Sequence, residues 1–301
     1  METITQKAEY GLNRGNLKMI ALFCMAIDHI GLAIVESWIL KLSEDSMMYM
    51  FASLLDLVLR LIGRLAFPIF CFFIVEGFRY TRNIYFYALR LIFVGAVSEI
   101  PFNMMREHQY FSLQYQNVFL TLLIGLVAIH AIDGIFKKFK INEAGKYILT
   151  SIVSISAFAL AEVLKTDYSS IGVLSIILIY LIGEKKYNFA LFINLFGQLS
   201  GFIGYGDFSI GRFIYLVLSL MIYTVALYIC RRIPNNNSQK MYAAFVALTC
   251  LNFIEFPTLV NMWLMQFYNN KKGKKIDGLF YCFYPAHMLI LSGLCALLGL
   301  Y

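Results

Sequence analysis

Along the chain, apolar runs of roughly membrane-span length alternate with short polar breaks. A helix needs about 20 mostly apolar residues to cross a bilayer. Ten runs meet or approach that length: roughly 18–40, 56–77, 84–105, 117–136, 147–164, 169–183, 187–203, 210–230, 241–265 and 278–299. The longest polar breaks are KLSEDS (41–46), REHQYFSLQYQ (106–116), KKFKINEAGK (137–146) and RRIPNNNSQK (231–240). None is long enough for a soluble domain, and no low-complexity tract or clear internal repeat interrupts the pattern. Backbone polar groups inside lipid must be satisfied within their own segment. The pattern therefore predicts an all-α, polytopic integral membrane bundle of about ten transmembrane helices, one domain over residues 1–301.

Composition agrees with this. The chain is 60% hydrophobic and 14% charged, with mean hydropathy +0.71, against about 45–50% apolar and about 25% charged in soluble domains. That excludes a water-soluble globule. The net charge of +7 could attract a polyanion, but the cations mostly sit in short loops, as positive-inside topology requires, so no nucleic-acid partner is predicted. The six cysteines, Cys24, Cys71, Cys230, Cys250, Cys282 and Cys295, lie in apolar segments without metal-ligand spacing, and read as structural thiols with no metal site. The first residues, METITQKAEYGLNRGNLK, are polar and precede a run of full span length, so no cleavable signal peptide is predicted.

Lysine and arginine set the expected orientation. One set of loops carries Lys7, Arg14 and Lys18, then Arg79 and Arg82, then Lys137, Lys138, Lys140 and Lys146, then Lys185 and Lys186, then Arg231, Arg232 and Lys240. The opposite loops are nearly bare until NNKKGKK, with Lys271, Lys272, Lys274 and Lys275. With ten spans, both termini are cytoplasmic in a multi-pass protein of the cell membrane, and this last loop breaks the rule. Either that loop is external or the segment 241–265 stops short of crossing, with a natural break at Phe256–Pro257.

A charge inside a span costs about 2.5–3.5 kcal/mol on insertion scales and usually marks function. Here the set is Asp28, His29, Arg60, Arg64, Glu76, Arg90, Glu99, Glu162, Arg212 and Glu255. Glu162, Arg212 and Glu255 read as structural pairs between helices. Lys18 and His29 are eleven residues apart, which is about 16 Å along a helix and within about 20° of a whole number of turns. A cation at a mouth and an imidazole near mid-membrane thus share one face. Asp28 points about 100° away and is expected to meet another helix, with an arginine of the second span as its partner. In that span Arg60 and Arg64 share a face, Gly63 permits close approach, and Pro68 frees the Arg64 carbonyl at a kink, which suits a polar cavity. Arg79, Thr81, Arg82 and Asn83 form an anion-attracting cluster that positive-inside flanking explains equally well. The third span carries Arg90 and Glu99, and the last opens with Tyr284, Pro285 and His287, Pro285 being read as a first-turn proline.

The stretches LKMIALFCMAIDHIG (17–31), GRLAFPIFCFFIVEGFRYTRN (63–83) and ALRLIFVGAVSEIPFN (88–103) resemble the TraX family. So do NVFLTLLIGLVAI (117–129), DYSSIGVL (167–174) and YNNKKGKKIDGLFYCFYPAHMLIL (268–291). The resemblance runs from the first span to the last, and the stretch from about 185 to 260 carries no matching motif. The family is named for a conjugation protein that N-acetylates the amino terminus of a pilin. It is similar to a wider group of transmembrane acyltransferases, in which cytoplasmic acyl-CoA meets a membrane-embedded histidine. Many of these have an arginine where this chain has Lys18, which keeps the charge but loses bidentate phosphate geometry.

The resemblance implies an acetyl-CoA-dependent N- or O-acetyltransferase acting on an extracytoplasmic or membrane-embedded peptide, glycan or lipid acceptor. Carried onto these residues, His29 is the base, with Asp28 and Arg64 completing the catalytic set. A transient acyl-histidine is the nucleophilic variant. Lys18, Arg79, Arg82 and Asn83 are the expected acyl-CoA phosphate site. Arg60, Tyr284 and His287 are the expected substrate residues, the last two at the acceptor mouth. Two other readings compete. One is a transporter or flippase using the intramembrane charges as a relay, which lacks paired inverted halves in the sequence. The other is a purely structural membrane subunit, which leaves those charges unexplained.

Overall fold

The computed structural model describes residues 11–204, 209–249, 253–274 and 276–300. Lys7, Cys250, Lys275 and the side chain of Arg212 lie outside the described residues. Among the described residues the chain is helical, without β-strands. Its elements are α1 (Arg14–Ile39), α2 (Met47–Gly63), α3 (Ala66–Tyr80), α4 (Ile84–Glu107), α5 (Val118–Lys138), α6 (Glu143–Val163) and α7 (Ser169–Gly183). There follow α8 (Tyr187–Gly204), α9 (Ile210–Ile229), α10 (Asn236–Thr249), a 3-10 stretch Phe253–Leu259, α11 (Val260–Leu264) and α12 (Asp277–Leu297). Six of the described helical segments are long and apolar enough to cross a membrane: α1, the joined α2–α3 rod, α4, α5, α6 and α12. The protein is a helical membrane protein.

Asparagine or serine opens five helices by accepting from the free N–H groups of the first turn. Asn13 accepts from Asn16 N at 2.9 Å, Ser46 from Tyr49 N at 3.1 Å, and Asn83 from Tyr85 N at 2.9 Å. Asn117 and Asn142 do the same for α5 and α6. At the centre lies α7, whose residues from Val173 to Ile182 are buried. That burial accounts for a helix apolar on every side.

Two elements are interrupted. Pro68 has no N–H and would clash with the carbonyl four residues back. The ladder accordingly tightens at Arg64–Leu65, with Leu65 N donating to Ile62 O at 3.2 Å, and Pro68 falls in the first turn of α3. The Leu65 carbonyl accepts from Asn261 Nδ2 at 3.1 Å. The second interruption is a correction. Segment 241–265 is not one crossing helix: it runs up α10, turns through the 3-10 stretch containing Pro257, and returns along α11. Its two limbs are tied by Ser238 Oγ to Met262 O at 2.9 Å and by Asn237 Nδ2 to Asn270 Oδ1 at 3.1 Å. The segment therefore leaves on the face it entered.

The return carries the lysine loop to the start of α1. Leu12 pairs with Tyr268, Leu12 N donates to Phe267 O at 2.8 Å, and Arg14 N donates to Lys271 O at 2.9 Å. The loop thus joins the other basic loops on one face, here the near face, and the expected exception to the charge rule disappears. From there α12 runs to the far end of α1, where Lys41 Nζ donates to the Gly299 carbonyl. Residues 12 and 299 lie at opposite ends of α1.

Candidate functional site

Two neighbouring cavities run inward from the near face. The larger, about 250 Å³, begins at Arg14 and Lys18 of α1, Thr81 after α3 and Arg90 of α4. The smaller, about 40 Å³, is walled by Asp28, His29, Gly63, Phe67, Asp167 and Tyr168. Met25, Phe70, Val118 and Tyr284 line both and form the neck between them. The one-face relation of Lys18 and His29 thus becomes a path along α1 from mouth to imidazole. Lys18 is buried, its ammonium 4.8 Å from the Phe280 ring centre and 5.6 Å from that of Phe73.

Just beyond His29, α1 loosens into a π-helical turn, Gly31–Val35. Such single π turns often mark functional positions in a helix. Asp28 faces α2, where Arg60 Nη1 donates to its Oδ2 at 2.8 Å. The other oxygen of Asp28 lies against Gly63, where a Cβ would collide with the carboxylate, so Gly63 is needed for this approach.

His29 and His287 meet directly, with His29 Nδ1 2.6 Å from His287 Nε2. Chemistry fixes the protons. The Phe283 carbonyl, 2.7 Å from His287 Nδ1, only accepts, so that nitrogen carries a hydrogen. In the neutral ring Nε2 of His287 is then the acceptor, and His29 Nδ1 is the donor. The lone pair of His29 is left on Nε2. Tyr284 packs edge-on to His29 and to Phe119, at 6.1 and 5.0 Å between centres.

Arg64 is not on the wall of the small cavity. Its Nε lies 3.2 Å from Glu255 Oε1 at the tip of the hairpin, and its Nη1 lies 3.4 Å from the Tyr168 hydroxyl. Tyr168 is on the wall, stacked on Phe67 at 3.7 Å, with its backbone left-handed at φ 61°. The preceding residue, Asp167, is tethered through its carbonyl, which accepts from Thr121 Oγ1.

The structure thus brings together His29, Asp28, Arg60, His287 and Tyr284, with Arg64 one residue removed through Tyr168. It corrects the position of His287, expected near the acceptor mouth and found against His29. Pro285 lies well inside α12 rather than in its first turn. Of the four expected phosphate residues, only Lys18 reaches the large cavity. Arg79 turns to Glu184 at 2.8 Å and Glu76 at 4.0 Å. Arg82 is exposed and off the cavity wall, and Asn83 is spent as the cap of α4. The sequence reading gave no site role to Arg14, Arg90, Asp167, Tyr168 or Glu255. Arg14, four residues before Lys18 and so on its face, was the readable signal. For the buried Glu255, an intramembrane carboxylate read as structural, the partner Arg64 is 191 positions away, and no local pattern announces it.

The fold and site define a polytopic helical membrane protein with a polar chamber reached from one face. The family pattern described as TraX protein matches residues 13–199, and the chain belongs to that family. It is also similar to the probable fimbrial assembly protein FimC, serogroup H1, of Dichelobacter nodosus, 26% identical over 284 residues, covering 91% of this chain and 92% of that one. No solved structure matches.

Proposed function

We propose that the protein is a membrane acyltransferase that takes an acetyl group from acetyl-CoA at the near face and transfers it to an amine or hydroxyl acceptor at the small cavity. The observation that carries this reading is the hydrogen-bonded chain Phe283 O, His287, His29, which leaves Nε2 of a half-buried imidazole as the acceptor at the small cavity, next to the cationic one. The acceptor's N–H or O–H gives its proton to His29 Nε2 as its lone pair attacks the thioester carbonyl. The C–S bond breaks, and the imidazolium returns the proton to the departing thiolate. Tyr168, held by Arg64, supplies a hydrogen bond to the developing oxyanion. His287 is a positioning residue, and Asp28 with Arg60 fixes the angle between α1 and α2.

By the charge rule the near face is cytoplasmic, where acyl-CoA is made, and on this reading the described helices cross nine times beside one hairpin, which puts residue 299 outside. The name of the similar fimbrial assembly protein supports a peptide acceptor belonging to a surface fibre. A transport reading has one observation in its favour: the two interrupted elements meet at Arg64–Glu255, as discontinuous helices do around transporter sites. The deciding experiment gives purified protein radiolabelled acetyl-CoA and follows thioester loss and label transfer. His29→Ala should fold normally and lose about 10²–10⁴-fold in rate. A stable wild type that neither binds nor consumes acetyl-CoA would sink the enzyme reading and leave transport.

A further inference from the structure

The larger cavity cannot hold the whole donor. Its volume of about 250 Å³ falls below the roughly 300–1,000 Å³ of sites that enclose a drug-sized ligand, and a coenzyme A thioester is larger than that. On the acyl-CoA reading the cavity takes the pantetheine arm, and the nucleotide end lies outside the mouth. The lysine loop stands at that place. Its backbone is fixed against the first residues of α1: Arg14 N bonds Lys271 O at 2.9 Å, and a Cβ at Gly15 would come within 3.0 Å of Lys274 O. Gly273, at φ +64°, sits against Asn13, the cap of α1, with no room for a side chain.

Backbone thus sets the loop, and the side chains of Lys271, Lys272 and Lys274 remain exposed. Among the described residues none of the three pairs with a carboxylate. Among the described residues the adjoining cavity wall adds Arg14, Lys18 and Arg90 and contains no Asp or Glu. Plain positive-inside flanking would need the charges but not the glycine-dependent docking of the loop onto the mouth.

We propose that Lys271, Lys272 and Lys274 form a phosphate site that holds the terminal phosphomonoester of the donor nucleotide, the dianion that coenzyme A carries and its dephospho form lacks. This rests on the acyl-CoA reading above. The same chemistry would suit an anionic lipid headgroup, and the test separates the two.

Binding of coenzyme A and of dephospho-coenzyme A is measured by calorimetry on full-length protein in detergent. The triple variant Lys271→Ala, Lys272→Ala, Lys274→Ala should weaken coenzyme A about tenfold or more and leave dephospho-coenzyme A unchanged. A matched pair, Lys138→Ala with Lys140→Ala, should alter neither. Equal loss for both ligands, or the same loss in the matched pair, would reduce the effect to general electrostatics and overturn the site. An unchanged coenzyme A affinity, with weaker attachment of anionic lipid in vesicles of phosphatidylglycerol, would assign the loop to headgroups and overturn it too. Failure of the wild type to bind either coenzyme would instead remove the acyl-CoA reading on which the site depends.

Discussion

Segments 241–265 and 278–299 flank the same lysine loop and read alike as apolar runs, yet one is a hairpin and the other a continuous helix. The difference lies in where their buried polar groups find partners. In the hairpin, Ser238, Lys240, Glu255, Thr258 and Asn261 are all buried and recur along both limbs. Lys240 meets Glu76 at 3.2 Å, Ser238 the other limb, Glu255 meets Arg64 and Asn261 the Leu65 carbonyl. In the closing helix His287 meets His29 of α1 and the Phe283 carbonyl of its own helix, and Cys295 Sγ donates to the Ala33 carbonyl at 3.2 Å, so its polar contacts run along α1 and not back onto a second limb. Hydropathy counts how much of a segment tolerates lipid. It does not say which way the chain is travelling.

Three measurements press on that contrast. The largest effect is all-or-none. In a background with the exposed Cys282 replaced by serine, Lys272→Cys and Arg82→Cys should react with an impermeant reagent from the same side, and Leu298→Cys from the other. Labelling of Lys272→Cys from the side opposite Arg82→Cys, with Leu298→Cys on the Arg82 side, would restore the crossing and discard the hairpin. Next in size is Glu255→Ala, which leaves the half-buried Arg64 guanidinium without its carboxylate. Breaking a buried pair from one side costs about 3–5 kcal/mol, to be read as a lowered denaturation midpoint in detergent. A midpoint equal to wild type would make the hairpin tip a passive plug. The third concerns α12. His287→Ala frees His29 to adopt either tautomer and should lower kcat by about 10²-fold, while the denaturation midpoint moves little. His287→Gln can accept from His29 Nδ1 and should recover part of the loss; no recovery would make His287 packing alone.

The sequence made some of this legible and hid the rest for identifiable reasons. Helical phase alone placed Lys18 and His29 on one face and turned Asp28 about 100° away from it; its arginine partner was read from the charges of the second span, and Arg60 takes that place. The kink at Pro68 followed from a missing donor. His287 was assigned to the wrong mouth because 241–265 was read as a crossing, and too near the helix start because Pro285 was read as a first-turn proline, whereas it lies eight residues after Asp277, where α12 begins. Arg79 and Arg82 looked like an anion site because charge is visible in a sequence and its partner is not: Glu184 lies 105 residues beyond Arg79. Asn83 had a local signature as a cap, asparagine before an apolar run, and was read for its charged neighbours instead. The hairpin was offered as an alternative at Phe256–Pro257 and lost to simple length.

The meeting of His29 with His287 also sets a timetable. The two rings are 258 residues apart in the chain, and a ribosome adding about 5–20 residues per second needs on the order of ten to fifty seconds to travel between them. Throughout that interval α1 is already made, while α12 and the loop that closes on Leu12 have not yet emerged. A nascent or truncated chain therefore owns an imidazole but no neighbour to settle its protons, and on the acyltransfer reading it is silent until the last helix arrives.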